Sequence, residues 1–150
     1  YIALTKGKLI AGKTIQAAIG RHPRNRTRMA VVDDGKSATT HFRVNTRFEH
    51  HTLLDCQLET GRTHQIRVHC EWMGFPIVGD PLYGKRCALP KGISAELAIA
   101  IRAFQRQALH AATLVFQHPS TEEQQTFHAP IPDDMEKLIE MMHTHDAREV

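Results

Sequence analysis

The sequence predicts a single α+β domain, with a mostly antiparallel mixed sheet and helices flanking it. Three observations point there. Residues 37–48 alternate strictly, with Ala38, Thr40, Phe42, Val44, Thr46 and Phe48 on one side and polar residues on the other, as in a half-buried strand. Strand-like stretches are joined by short polar turns, which suit antiparallel pairing. Apolar residues at spacings of three and four then recur in three places, as amphipathic helices require.

The elements follow in order. Tyr1 to Thr5 reads as a strand, and 13–19 as a short strand or extended stretch. The segment 20–28 carries Arg21, Arg24, Arg26, Arg28 and Pro23 and reads as a loop. Met29 to Val32 is a short strand, and Asp33-Asp34-Gly35-Lys36 has hairpin-turn chemistry. Residues 52–59 pair with 37–48 through a turn at Glu49-His50-His51. A helix then opens with Thr63 as its N-cap. Ile66, Cys70 and Met73 form its inner face, and Gly74 and Pro76 close it. A second helix covers 94–104, with Leu97, Ile101 and Phe104 on one face. Strands at 108–117 and 123–128 flank a polar turn. Asp133 caps a last helix whose apolar face is Met135, Leu138, Ile139 and Met142.

Composition narrows the function classes. A chain of 150 residues fits one domain. No apolar run approaches the ~18 residues needed to span a bilayer, so no membrane partner is expected. Three cysteines without a CxxC pair argue against a disulfide framework and fit a reducing cytoplasm. The eleven histidines form neither HExxH nor a Cys/His zinc spacing, so no metal site is expected. His50, His51, His143 and His145 read as solvent-facing. The net charge is only +3, but it is concentrated at Arg21–Arg28 while residues 121–150 are acid-rich. A local basic patch is the footprint of a nucleic-acid contact.

The densest chemistry lies in Glu59-Thr60-Gly61-Arg62-Thr63-His64-Gln65-Ile66-Arg67-Val68-His69. A helix start beside two arginines and two histidines favours an anion, because unpaired N–H groups and the helix dipole both attract negative charge. A solvated helix start, with Arg67 paired to Glu71 one turn on, is the plain alternative. Asp80, in Gly-Asp-Pro, reads as a turn cap.

The run GRTHQIRVH, followed by Gly74-Phe75-Pro76-Ile77-Val78-Gly79-Asp80-Pro81-Leu82-Tyr83-Gly84, resembles the signature of the RNA pseudouridine synthases of the ribosomal large-subunit type. Further matches keep the family's order: Tyr1-Ile2-Ala3, Arg21-His22-Pro23 with Met29-Ala30-Val31, Gly35-Lys36-Ser37-Ala38-Thr39-Thr40, Leu109-His110-Ala111 and His118-Pro119. The resemblance covers nearly all of 1–132, less sharply over 85–108.

The resemblance implies a catalytic-domain-like fold and isomerisation of uridine to its C-glycoside in large-subunit (23S) ribosomal RNA, without cofactor. No protein partner is expected. It implies that Arg67 partners the catalytic carboxylate and that Tyr1 stacks on the uracil. Leu109 would belong to the wall of the uracil pocket. Arg62 and His64 would position the turn or touch phosphate, and Arg21, Arg24, Arg26 and Arg28 would contact RNA. The family's aspartate, which attacks the ribose or takes a proton from it, stands in a His-Arg-Leu-Asp-type motif upstream of the Tyr-x-Ala strand. No such motif occurs in these residues. The chain is therefore expected to be one partial catalytic domain, 1–150, truncated at its N-terminus and inactive alone. A non-catalytic RNA-binding module of the same fold is the alternative. A small-molecule enzyme would leave the basic loop and the ordered motifs unexplained.

Overall fold

The computed structural model describes residues 1–84 and 88–148. Five strands form the main sheet: β1 (Ile2–Lys6), β2 (Lys13–Gln16), β5 (Thr39–Arg47), β6 (His51–Leu58) and β7 (Leu109–His110), ordered β2-β5-β6-β1-β7. Every named pairing is antiparallel. Two small ribbons join β3 (Ile19–Arg21) to β4 (Met29–Val31) and β8 (Thr113–Gln117) to β9 (Gln124–His128). The helices are α1 (Gln65–Trp72), α2 (Ala95–Ala103) and α3 (Asp133–Arg148).

The expected alternation of β5 appears in its burial. Thr40 and Phe42 are buried while Arg43, Asn45 and Arg47 are exposed. A register shift between Val44 and Thr46 interrupts its ladder with β6. The turn at 33–36 differs from expectation. It does not hinge β4 onto β5. Gly35 N–H donates to Val32 O, and Lys36 folds back to exchange bonds with Ile19 at 2.8 and 2.9 Å. Ile19 is thus flanked by Val31 on one side and Lys36 on the other.

α1 ends as its sequence predicts. Gly74, at φ +85°, follows the C-cap Met73. Gly74 N–H reaches Glu71 O and Phe75 N–H reaches Cys70 O, the paired bonds of a Schellman close. The start of α1 does not follow expectation. Thr63 is not its N-cap; His64 takes that place in a left-handed conformation, φ 56°, with no side-chain cap bond. Gln65 supplies the physical reason. Its Oε1 accepts from the Thr60 hydroxyl (2.8 Å) and from Arg62 N–H (3.0 Å), closing the turn from within. Its Nε2 donates to Thr39 O and Thr40 Oγ1, both at 3.0 Å, pinning the helix to β5.

Ser94 caps α2 through Leu97 N–H. α3 begins at Asp133 itself, so that residue is not its cap, and Asp134 Oδ1 accepts from Met135 N–H instead. Met135, Leu138 and Met142 of α3 join Leu4, Leu54, Phe42, Ile66, Cys70 and Ile101 in the main core. Burial is the dominant stabilising term for such a cluster. His51 and His145 are not solvent-facing: they are 2% and 7% exposed. No described helix is long and apolar enough to cross a membrane.

Candidate functional site: an arginine–aspartate–tyrosine cluster beside the sheet

Arg67 projects from α1 and its partner is Asp80, not Glu71. Nε to Oδ2 is 2.8 Å and Nη2 to Oδ1 is 2.9 Å, a two-pronged charge-assisted pair. The Asp80 side chain is wholly buried and that of Arg67 is 11% exposed. Asp80 Oδ1 also accepts Leu82 and Tyr83 N–H, so the expected turn cap and the ion pair share one carboxylate. Burial alone would raise the Asp80 pKa. The guanidinium and the two backbone donors outweigh it and hold the carboxyl below its usual range.

Tyr83 organises the rest of the cluster. The guanidinium carbons of Arg67 and Arg28 lie 4.9 and 5.1 Å from its ring centroid. Its hydroxyl accepts Met29 N–H at 3.0 Å and sits 2.8 Å from His64 Nδ1. Burial, then the Arg67 charge, lowers the His64 pKa, which favours the neutral ring as partner of the phenol. That bond helps hold His64 in its left-handed backbone, whose cost is on the order of 1 kcal/mol. His64 therefore stands where the turn is positioned.

Arg28 corrects the picture of four outward arginines. Its Nη2 pairs with Glu71 at 2.7 Å, and its side chain is only 14% exposed. The loop arginines Arg21, Arg24 and Arg26 are exposed. The loop itself is closed by His22, whose Nδ1 accepts from Arg24 and Asn25 N–H. Arg62 donates from Nε to Ser37 O at 2.8 Å.

Tyr1 and Leu109 lie on the sheet. The register Ala3↔Leu109 and Ala3↔Leu54 places Tyr1, Ala3 and Leu109 on one face by strand parity. α1 attaches to that same face through Thr40, which bonds His69 Nδ1 at 2.8 Å and Gln65. Leu109 is half-buried against the core. Among the described residues, no hydrogen bond, ion pair or ring contact joins Tyr1 to Arg67. Tyr1 instead borders a concavity of about 730 Å³ with Lys13, His41, Arg43 and Asp55. There Asp55 is held by Arg43 at 3.0 Å and Asn45 at 3.1 Å.

Sequence reasoning missed Tyr83, Gln65 and the carboxylate that holds Arg67. Tyr83 carried a signal, since it stands in the Gly-Asp-Pro-Leu-Tyr-Gly stretch that continues the motif. The buried thiols are poor nucleophiles: burial pushes Cys56 up to about 12 and Cys70 well above its ordinary value. Cys87 lies outside the described residues. Among the described residues, no group of three or more His, Cys, Asp or Glu could hold a metal ion.

Comparison with known proteins agrees with the motifs. Residues 1–72 match the family described as RNA pseudouridylate synthase. A protein of Xanthomonas campestris called ribosomal large subunit pseudouridine synthase D is 51% identical over 148 residues, 99% of this chain and 45% of that protein. Its namesakes in Vibrio vulnificus and Escherichia coli are each 50% identical, over 99% and 95% of this chain and 46% and 44% of their own lengths. The chain thus spans less than half the length of these relatives. Two solved human structures share the fold across 95% of this chain. RNA Pseudouridylate Synthase Domain Containing 4 superposes with TM-score 0.70 at 19% identity over 60% of its chain. Domain Containing 1 does so with TM-score 0.65 at 24% identity over 64%. By its motifs, and by identity running along almost its entire length, the chain belongs to the RNA pseudouridine synthase family.

Proposed function

We propose that the protein carrying this chain isomerises uridines of large-subunit ribosomal RNA to pseudouridine. The observation that carries this is the identity of about half over 99% of the chain to proteins bearing that activity in their name. In the reaction the N-glycosidic bond breaks, the uracil turns, and C5 bonds to C1′ while its proton leaves and N1 regains one. The sum is an isomerisation, so neither oxidant nor hydrolytic water is consumed. A base inside a helix must first leave its stack, at a cost of a few kcal/mol.

In this reading Tyr1 stacks on the uracil, Leu109 walls the pocket, and Arg67 holds the catalytic carboxylate in its charged form. The structure bears on which carboxylate that is. Asp80 has both oxygens bound and no exposed side-chain surface, so it orients Arg67 and does not attack. No other aspartate of the chain lies in the family's motif. The reading therefore takes the catalytic aspartate from sequence beyond these residues. The exposed Arg21, Arg24 and Arg26, with Arg62, contact RNA phosphate, while His64 sets the turn. The setting is the cytoplasm, where ribosomal RNA is met.

Mapping pseudouridines in large-subunit RNA treated with the complete protein tests the activity. New sites are expected with the complete protein and none with residues 1–150 alone. Turnover by these residues alone would sink the external-carboxylate part, and no turnover by the complete protein would sink the reading.

A further inference from the structure

Three basic side chains from separate stretches of chain meet at one groove. Arg21 ends β3, Lys36 follows the turn after β4, and Arg62 stands in the turn before α1. All three line a concavity of about 410 Å³. Glycines let these stretches close on one another. A Cβ on Gly35 would stand 2.6 Å from the Ile19 carbonyl carbon, and one on Gly20 2.7 Å from a Val32 methyl. At Gly61, also on the lining, a Cβ would meet nothing within 4 Å, so space there is open.

The charges are held in place yet available. Arg62 Nε is tied to Ser37 O at 2.8 Å and Arg21 Nη1 to Arg26 O at 2.9 Å. The other N–H groups of both forks have no partner among the described residues. The Lys36 backbone is fixed by its two bonds to Ile19 while the residue is exposed. Asp34 is the one carboxylate on the lining, leaving a net of two positive charges. Arg24 and Arg26 lie outside the groove, and Arg28 is turned inward to Glu71.

We propose that this groove is a phosphodiester-binding subsite, where Arg21, Lys36 and Arg62 grip the sugar–phosphate backbone of the substrate RNA. The inference rests on the RNA reading above and adds to it Lys36 and a location, away from the loop tip. Prefixed forks lose less side-chain entropy on binding and suit the geometry of a phosphate. Such contacts set register and orientation without reading bases.

The test is the salt dependence of binding of a structured large-subunit RNA fragment to the complete protein, by fluorescence anisotropy. The variants are Lys36→Gln, the double change Arg21→Gln with Lys36→Gln, and the tip control Arg24→Gln with Arg26→Gln. Each lost phosphate contact lowers the log–log salt slope by about 0.7–0.9. The subsite predicts a loss of one such step for Lys36→Gln and about two for the double change, independently of the fall that loss of the loop-tip contacts gives in the Arg24 and Arg26 variant. Wild-type slopes in the groove variants, with or without a fall in the tip control, overturn the groove while leaving RNA binding intact. A wild-type protein that binds no RNA overturns the groove and the functional reading together. Because Lys36 is exposed, its variant keeps the fold, and a thermal melt confirms it.

Discussion

Arg67 and Asp80 are joined by two parallel hydrogen bonds of 2.8 and 2.9 Å, thirteen residues apart in sequence, with the carboxylate wholly buried. This pair fixes the plane of the guanidinium, which also lies over the Tyr83 ring. A fixed plane matters for a group that must present charge in one direction.

Asp80→Ala would leave the Arg67 charge without its partner and two backbone N–H groups without an acceptor. Breaking one side of a buried pair costs about 3–5 kcal/mol. The urea midpoint should fall accordingly. A loss below about 1 kcal/mol would show that the pair is solvated and does not set the arginine.

Acid should weaken the fold well above the carboxylate range. Burial, with the nearby charges of His50, Lys6 and His145, lowers the His51 pKa from 6.5 to about 4. Between these values the unfolded chain binds the proton and the folded chain does not, so stability falls as pH drops from about 6.5 to about 4. The full effect of this one group is roughly 3 kcal/mol. Denaturant midpoints across that window check it, and His51→Gln should flatten the dependence. An equal slope in the variant would place the effect elsewhere.

Two glycines should respond unequally to alanine. At Gly35 the new methyl meets Ile19 backbone atoms at 2.6 to 2.9 Å, and backbone cannot swing aside. At Gly61 there is nothing within 4 Å. Gly35→Ala should cost about 1–3 kcal/mol, while Gly61→Ala stays within ~0.5 kcal/mol. Melting curves of the two variants decide it, and similar shifts would contradict the packing described.

What the sequence revealed was local. The alternation of 37–48 and the three- and four-residue spacings in the helices depend on neighbours along the chain, and all reappear. So does the close of α1 at Gly74. What stayed hidden depends on residues far apart. Glu71 is one turn from Arg67, yet it pairs with Arg28, 43 residues away, because Asp80 already holds Arg67. Thr63 has good capping chemistry, but the Gln65 amide closes the turn first and pins it to β5. His51 looks polar and exposed until its strand pairs with β1 and is covered on both sides. The motif drew attention to Arg67 and Tyr1, but their three-dimensional relation is a matter of strand register that no spacing carries.

Tritium release from large-subunit ribosomal RNA labelled at uridine C5 tests most directly whether Arg67 serves uridine isomerisation. The complete protein should release tritium, and Arg67→Ala should slow release by about a hundredfold or more, the size expected when a group that holds charge at the reacting centre is removed. Folding of the variant is checked alongside by circular dichroism. Release at the wild-type rate from folded Arg67→Ala, or none from the intact protein, would contradict the account.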